Sequence, residues 1–403
     1  MDGKDSSGSG HGGRRRFEVE RLEVERQHVR ELKERVLDIC HGKSGRRYRH
    51  YEMEKIPGPM PQSVSSKTLN VLSNKEYWVA EKSDGDRFML FYSETSRKCY
   101  LIGRKFDLRI VPGSYFPNLF RGGDTLIDGE LVSEVQKGVE RDTYLVFDVV
   151  AIRGRSYVNE KLLDRLKQIG GVIGMYRQSK NMQEAPFALQ SKTFKKKKHI
   201  GEILKMISRD DSDSNCSTQE SHPIFWFKEQ RSNGWRKNKN DGLIFTPEHG
   251  GYMQRECPIL KWKFPELQTI DVAIRSEDLM KIVSRGARND GKEPRIAIYC
   301  NGRDPSGRQR SAEIYLRDIK APKDPEGLLN AFRKGNRGKG FSCIVEVGYD
   351  KAQGEWIIYR PRPDKARANF ITTCMSTFDA LIDNINAERL EGICCGSKKR
   401  KHQ

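Results

Sequence analysis

Apolar residues in this chain come in short runs broken by glycine turns and charged clusters. The runs at 77–80, 88–92, 144–150 and 243–245 have the length of strands. In Leu260-Lys261-Trp262-Lys263-Phe264 the pattern alternates, so Lys261 and Lys263 project from one face of a strand. Helical spacing is clearest at 161–169 and 200–208. Residues 17–40 read as a charged helix: Leu22, Val29 and Val36 recur every seven, with Leu32 and Ile39 offset by three. That spacing serves a short coiled coil, a partner-docking helix or a helix packed on its own domain. Segments 269–274, 295–300, 311–315, 342–348 and 355–359 suit a small five-stranded barrel. Residues 372–390 read as one helix with Phe378, Leu381, Ile382 and Ile385 on one face. The fold class is therefore α+β in two domains. A tail and helix occupy 1–44, a larger domain 45–265, a barrel 266–368, a closing helix 369–392 and a basic tail 393–403.

Candidate chemistry gathers at the strand ends. Lys82 lies in Lys82-Ser83-Asp84-Gly85-Asp86-Arg87, between two strand-like runs. Neighbouring cations or loss of water can turn a lysine into a nucleophile, and a glycine beside it leaves room for a ligand. Downstream, Asp128 and Glu130 flank Gly129, Phe147 and Asp148 sit in an apolar strand, and Asp241-Gly242 precedes another. Arg360-Pro361-Arg362-Pro363-Asp364-Lys365 comes late. Each run alone suits a surface turn, a core aromatic or a solvated face. Their joint occurrence in this order does not.

In these runs the chain resembles the covalent nucleotidyltransferases, and among them the mRNA capping guanylyltransferases more than the ATP-dependent DNA and RNA ligases. K-S-D-G-D-R is similar to motif I, I-D-G-E-L to motif III, Y-L-V-F-D-V-V to IIIa, N-D-G-L-I-F-T-P to IV, L-K-W-K to V and R-P-D-K to VI. The forms of motifs IV, V and VI favour capping. Phe264 and Ala368-Asn369 depart from prolines frequent in the family. The resemblance covers residues 50–392 and implies a ligase-like nucleotidyltransferase domain followed by a smaller OB-fold carrying motif VI. A closing motion between them would complete the site.

The resemblance also implies a two-step reaction. The Lys82 amine attacks the α-phosphate of GTP, pyrophosphate leaves, and GMP passes from lysine to a 5'-diphosphate RNA. Lys261 and Lys263 would hold the α-phosphate, with Asp84 in the nucleophile turn. Arg87 and Glu130 would grip the ribose, Arg104 would assist on the nucleotide, and Phe147 would stack on guanine. Asp241 with Glu130 would place Mg²⁺ or Mn²⁺, since carboxylates and phosphates are hard oxygen ligands. Arg360, Arg362, Asp364 and Lys365 would orient the β- and γ-phosphates. The same nucleophile would serve an ATP-using polynucleotide ligase, and a decayed relative would only bind RNA. The labelling nucleotide separates the first two, and the intact motif residues speak against the third.

Composition adds partners. With 74 Lys and Arg against 55 Asp and Glu, the net charge of +19 suits a polyanion. The positive charge is concentrated at 195–198, at Arg236, Lys237 and Lys239 beside Trp235, and at 398–401. One of the first two runs is a candidate for RNA phosphates. The stretch 195–239 reads as a polar surface insertion. The nine cysteines contain no C-x-x-C pair, which argues against a structural zinc site. No apolar stretch approaches the ~20 residues that span a bilayer. Neither an H-C-x5-R phosphatase loop nor a G-x-G-x-G methyltransferase start is present. Separate triphosphatase and methyltransferase proteins, the phosphorylated tail of RNA polymerase II and a nuclear location are therefore expected.

Overall fold

The computed structural model describes residues 26–43, 45, 47–112, 115–179, 185–210, 223–231, 234–253, 256–285, 293–303, 312–335, 342–351 and 353–396. The tail 1–16, Leu22 and the basic run 398–401 lie outside them.

A fourteen-stranded sheet is organised by one long strand, Gly234–Pro247. Its first half pairs with Phe225–Arg231 and with Thr125–Gln136. Its second half pairs with the Lys82 strand, Tyr77–Ser83, and with Leu260–Trp262. Thr125–Gln136 carries the sheet onward to Asp86–Ser93 and Val139–Ile152. The Lys82 strand is buried at most positions, as its apolar run requires. All five expected motifs of this domain are thereby carried on strands joined by direct pairing.

The amino-terminal helix spans Arg26–His41 and packs on its own domain. Leu32, Val36, Leu37 and Cys40 enter a core with Met89, Phe91, Tyr100 and Phe106. The described residues of 195–239 do not form the surface insertion expected. Their strands join the main sheet, and Lys197, Arg236 and Asn238 are buried. Lys197 donates to the carbonyls of Leu72, Ser73 and Lys75, closing the C-terminal end of helix Ser66–Asn74, where a cation meets the negative end of the helix dipole. The helix expected at 200–208 is shorter, Ile200–Leu204, and Ile207–Arg209 is a strand paired with Phe225–Phe227.

The second domain is a five-stranded antiparallel sheet. In sequence order the strands are Thr269–Arg275, Arg295–Gly302, Ala312–Lys320, Ser342–Asp350 and Glu355–Pro361. The fourth returns beside the first, giving the spatial order 3-2-1-4-5. The first four strands, in the spatial order 4-1-2-3, form a Greek key. Two helices, Ser276–Arg285 and Pro325–Gly335, were not legible in the strand pattern.

The single helix expected at 372–390 is two. Ile371–Asp383 ends at Asn384, which takes a left-handed φ of 42°, and Ala387–Cys394 follows, capped by the Asn386 side chain. Asn tolerates that conformation better than most residues. Phe378 and Leu381 face the second domain's core, but Ile382 points out, 80% exposed. Ile385, Leu390 and Cys394 join the core of the first domain, and Trp262 Nε1 donates to the Ile385 carbonyl at 2.6 Å. The chain thus returns to its first domain. Among the described residues no helix is long and apolar enough to cross a membrane.

These placements separate two substitutions. Leu37→Ala empties a core position and should cost about 2–5 kcal/mol, whereas Ile382→Ala should stay within about 0.5 kcal/mol. Urea unfolding followed by circular dichroism checks both. A free docking helix at 26–41 would leave Leu37→Ala neutral.

Candidate active site

A cavity of about 430 Å³ opens where the Lys82 strand, the long strand and the Asp86–Ser93 and Thr125–Gln136 strands meet. That size suits a small ligand such as a nucleotide. The Lys82 ammonium projects into it and is hydrogen-bonded to the Asp241 carboxylate. Lys263 reaches the same carboxylate oxygen at 3.0 Å. Lys261 lines the cavity beside them. Burial, then the Lys82 and Lys263 charges, lower the pKa of Lys261. Burial pushes the Asp241 carboxyl up, but its ion pairs with Lys82 and Lys263 outweigh this and hold it below the usual range. Three lysines around one carboxylate leave a surplus of positive charge facing the cavity, the electrostatic condition for a phosphate.

Backbone geometry makes this cluster possible. Gly242 pairs with Lys82 across the two strands, and the pairing bulges at Asp241. Gly242 has φ +127°, and a Cβ there would lie 2.0 Å from the Trp262 carbonyl oxygen. Only glycine lets the long strand run this close to the strand that carries Lys261.

The opposite wall holds the base-sized surface. Phe147 is half-buried, with the Lys192 ammonium 5.7 Å and the Arg87 guanidinium 5.8 Å from its ring centre. Strand Ala188–Ser191 runs parallel to residues 143–146, and the Lys192 amide donates to the Val146 carbonyl, which brings Lys192 level with Phe147. Lys192 is buried and donates to Glu130 at 2.7 Å, with Glu81 3.8 Å away. Burial works against its charge, but Glu130 and Glu81 outweigh it and raise its pKa. Burial pushes the Glu81 carboxyl up, with Lys192 only partly offsetting it. Arg87 is gripped bidentately by Asp128 at 3.0 and 2.6 Å, and Tyr252 donates to the same carboxylate at 2.6 Å.

The structure therefore brings together Lys82, Asp84, Arg87, Arg104, Glu130, Phe147, Asp241, Lys261 and Lys263 around one cavity. It does not bring motif VI there. Arg362 is tied to Asp364 at 3.0 and 2.9 Å and to Asp271 at 2.9 Å, and Arg360 to Glu346 at 2.7 Å. Lys365 is 3.7 Å from Asp271. The Arg362 contact holds the Asp364 carboxyl down at about 2. None of these four residues lines the cavity. Sequence reading missed Lys192 and Tyr252 as wall residues, and it named Asp128 without giving it a role. Lys192 stood three positions before the conspicuous run at 195–198 and was masked by it. Among the described residues no three His, Cys, Asp or Glu converge on a metal site. Asp241 and Glu130 both line the cavity, where their carboxylates already meet Lys82 and Lys263, and Lys192, respectively.

The family model for the mRNA capping enzyme catalytic domain matches residues 16–213, and that for the mRNA capping enzyme C-terminal domain matches 267–391. The chain belongs to the mRNA capping enzymes. It is 27% identical over 363 residues to the mRNA-capping enzyme subunit alpha of Neurospora crassa, covering 83% of each chain. The same subunit of Schizosaccharomyces pombe is 28% identical over 84% of this chain and 79% of its own. The mouse mRNA-capping enzyme is 24% identical over 84% of this chain but only 50% of its own. A mycobacterial DNA ligase D solved with ATP aligns at a TM-score of 0.37 and 15% identity over 79% of this chain and 97% of that one, which adds nothing to the fold already described. The chain is a guanylyltransferase of this family, which uses GTP as substrate, and its nucleotidyltransferase domain is the one that holds the cavity.

The close approach at Gly242 is testable. Gly242→Ala should force the 260–263 strand away and misplace Lys261 and Lys263. Lysyl-GMP formation per folded molecule should fall more than tenfold, about 1.4 kcal/mol or more in barrier, with a lowered melting temperature. Labelling at the native rate would show that the approach is not required.

Proposed function

We propose that Lys82 carries GMP between GTP and a 5'-diphosphate RNA end, in the cavity it shares with Asp241, Lys261 and Lys263. The observation that carries this reading is the Lys82 amine in the cavity, held by Asp241 and flanked by two further lysines. Asp241 orients the amine. Once Lys82 has shed a proton, its lone pair attacks the α-phosphorus, an N–P bond forms, the P–O bond to pyrophosphate breaks, and one of the two protons left on the nitrogen passes to solvent. In the second step a terminal oxygen of the RNA diphosphate attacks the same phosphorus, the N–P bond breaks, and Lys82 regains a proton. Lys261 and Lys263 neutralise the α-phosphate throughout, so catalysis is mostly positioning and charge. Splitting the transfer lowers each barrier.

Phe147 offers its open ring to the base. Lys192, whose ammonium stands over that ring 5.7 Å from its centre, donates to the acceptor oxygen and nitrogen that guanine presents and adenine does not match. Arg87, Glu130 and Arg104 line the wall where the ribose and its phosphates belong, and Asp84 stands in the turn after the nucleophile. A divalent ion held by Asp241 and Glu130 would supply charge neutralisation on the phosphates. Arg360, Arg362, Asp364 and Lys365 serve the β- and γ-phosphates after domain closure, so they act in the first step only.

The fungal relatives are named subunit alpha, which accords with a separate partner subunit, here an RNA triphosphatase. A cap methyltransferase and the phosphorylated tail of RNA polymerase II complete the expected set. A nuclear location accords with the basic run at 398–401.

Incubation with α-labelled GTP and Mg²⁺, followed by a denaturing gel, tests the core of this reading. Wild type should take label from GTP, and Lys82→Ala none. Arg362→Ala should lose labelling by 100-fold or more, about 2.7 kcal/mol, yet transfer GMP to RNA normally if loaded beforehand by a large excess of GTP. Label from ATP in wild type would instead indicate a ligase.

Base choice gives a second test. Lys192→Met should lower the ratio of GTP to ATP labelling roughly tenfold. A melting curve accompanies it, because Glu130 and Glu81 lose their cation. An unchanged ratio in folded protein would remove Lys192 from base reading.

A further inference from the structure

The hairpin of Phe225–Arg231 with the first half of the long strand has one buried face and one open face. Trp226, Lys228 and Gln230 stand opposite Lys239, Lys237 and Trp235. Cross-strand partners share a face, so these six residues form one surface. Phe227, Arg236, Asn238 and Asn240, on the other face, are buried. Arg236 is held by Glu134 and Glu229 and cannot reach RNA. In the other candidate run Lys197 is buried and Lys195 is paired with Glu202 at 2.6 Å.

The open face is costly for folding alone. Lys228 lies directly opposite Lys237, and like charges in that position destabilise a sheet. Among the described residues Lys228, Lys237 and Lys239 have no carboxylate at ion-pair distance. The nearby Asp210 accepts from the Trp226 indole at 2.7 Å. Lys237 covers the Trp226 ring, 4.5 Å from its centre. Trp235 is 63% exposed.

The row also leads somewhere. Odd-numbered residues of the long strand, from Trp235 through Lys237 and Lys239, alternate to one side, and Asp241 continues them at the bulge beside Lys82. The Lys239 carbonyl accepts from the Asp84 amide at 2.9 Å, one turn residue beyond the nucleophile strand. From Trp235 to Asp241 a strand spans ~20 Å.

We propose that this face is the track for the RNA strand behind its 5' end. The guanylyltransferase reading of Lys82 is the frame on which it rests. The diphosphate enters the cavity, Lys239, Lys237 and Lys228 meet the following phosphates, and a base stacks on Trp235. Lysines on an open sheet with an exposed tryptophan are the means by which proteins bind single strands without reading sequence. The contact sets affinity for RNA length and leaves chemistry at Lys82 untouched.

The test uses the full chain with Lys237→Ala/Lys239→Ala and, separately, Trp235→Ala. GTP labelling of Lys82 and transfer to a 5'-diphosphate dinucleotide should stay at the wild-type level. KM for a 5'-diphosphate RNA of about ten nucleotides should rise roughly tenfold in each. The double variant should also flatten the dependence of log KM on log salt by about two. An unchanged KM and salt slope with the longer RNA would overturn the proposal. So would an equal loss with the dinucleotide, which would mean a damaged site. Loss of binding to a doubly phosphorylated serine peptide with RNA kinetics intact would assign the face to a peptide instead. Failure of the guanylyltransferase reading would show separately, as no GTP adduct in wild type, and filter retention of labelled RNA would still report on the face.

Discussion

The site depends on one backbone constraint: the long strand Gly234–Pro247 must pass within van der Waals reach of both the Lys82 strand and the 260–262 strand. Gly242 permits this, and the bulge beside it turns Asp241 toward Lys82. Everything cationic at the centre follows. Lys82 and Lys261 come from two strands that pair with the long strand from either side, and Lys263 directly follows the second of them. Without that approach the carboxylate that holds two of the lysines together would sit a strand's width away. A sheet fixes such spacing by hydrogen bonds that cost nothing further once formed, which is why the catalytic groups sit on strands rather than on flexible loops.

Charge is the second organising element, and it is buried with partners. Arg87 is matched by Asp128 and Tyr252, Arg165 by Asp148, Arg236 by Glu134 and Glu229, and Lys192 by Glu130 and Glu81. Removing one partner from such a set leaves a charge in a poorly solvated place, which is more damaging than the pair's net worth suggests. The Lys82 end of the cavity is the exception. There three lysines surround one carboxylate, an imbalance that a phosphate group would offset. The two walls of the cavity therefore differ: matched pairs around Phe147, an unmatched cluster around Lys82.

The strands and the cavity were largely legible in the sequence because each catalytic run is flanked by an apolar segment whose period declares a strand. Lys82, Glu130, Asp241 and Lys261 could be placed relative to their own strands before any pairing was known. What could not be read were relations between distant segments. Nothing local to Lys192 says that residues 188–191 run parallel to 143–146 and level it with Phe147. Nothing local to Tyr252 announces Asp128. The run at 195–198 looked like a surface cluster because charge was read without burial, although Lys197 caps a helix end from inside. The break at Asn384 went unseen because an apolar 3.6 spacing continues through it, while the two halves face different cores.

The position of motif VI shows how the two domains divide the reaction. Its arginines are not waiting unpaired. Asp271, Glu346 and Asp364 already hold them, and Asp271 and Glu346 are themselves nearly buried. Delivering these cations to a triphosphate means exchanging carboxylates for phosphate oxygens, an exchange of one charge-assisted set for another rather than a gain from nothing. In the proposed reaction such a trade would be close to balanced, so a closed state would be populated when the β- and γ-phosphates are present and given up when pyrophosphate leaves. The internal carboxylates would thus make the second domain a detector of the triphosphate. A lysyl-GMP state, with only its α-phosphate, would give motif VI little to hold and would leave the cavity open to the incoming RNA end.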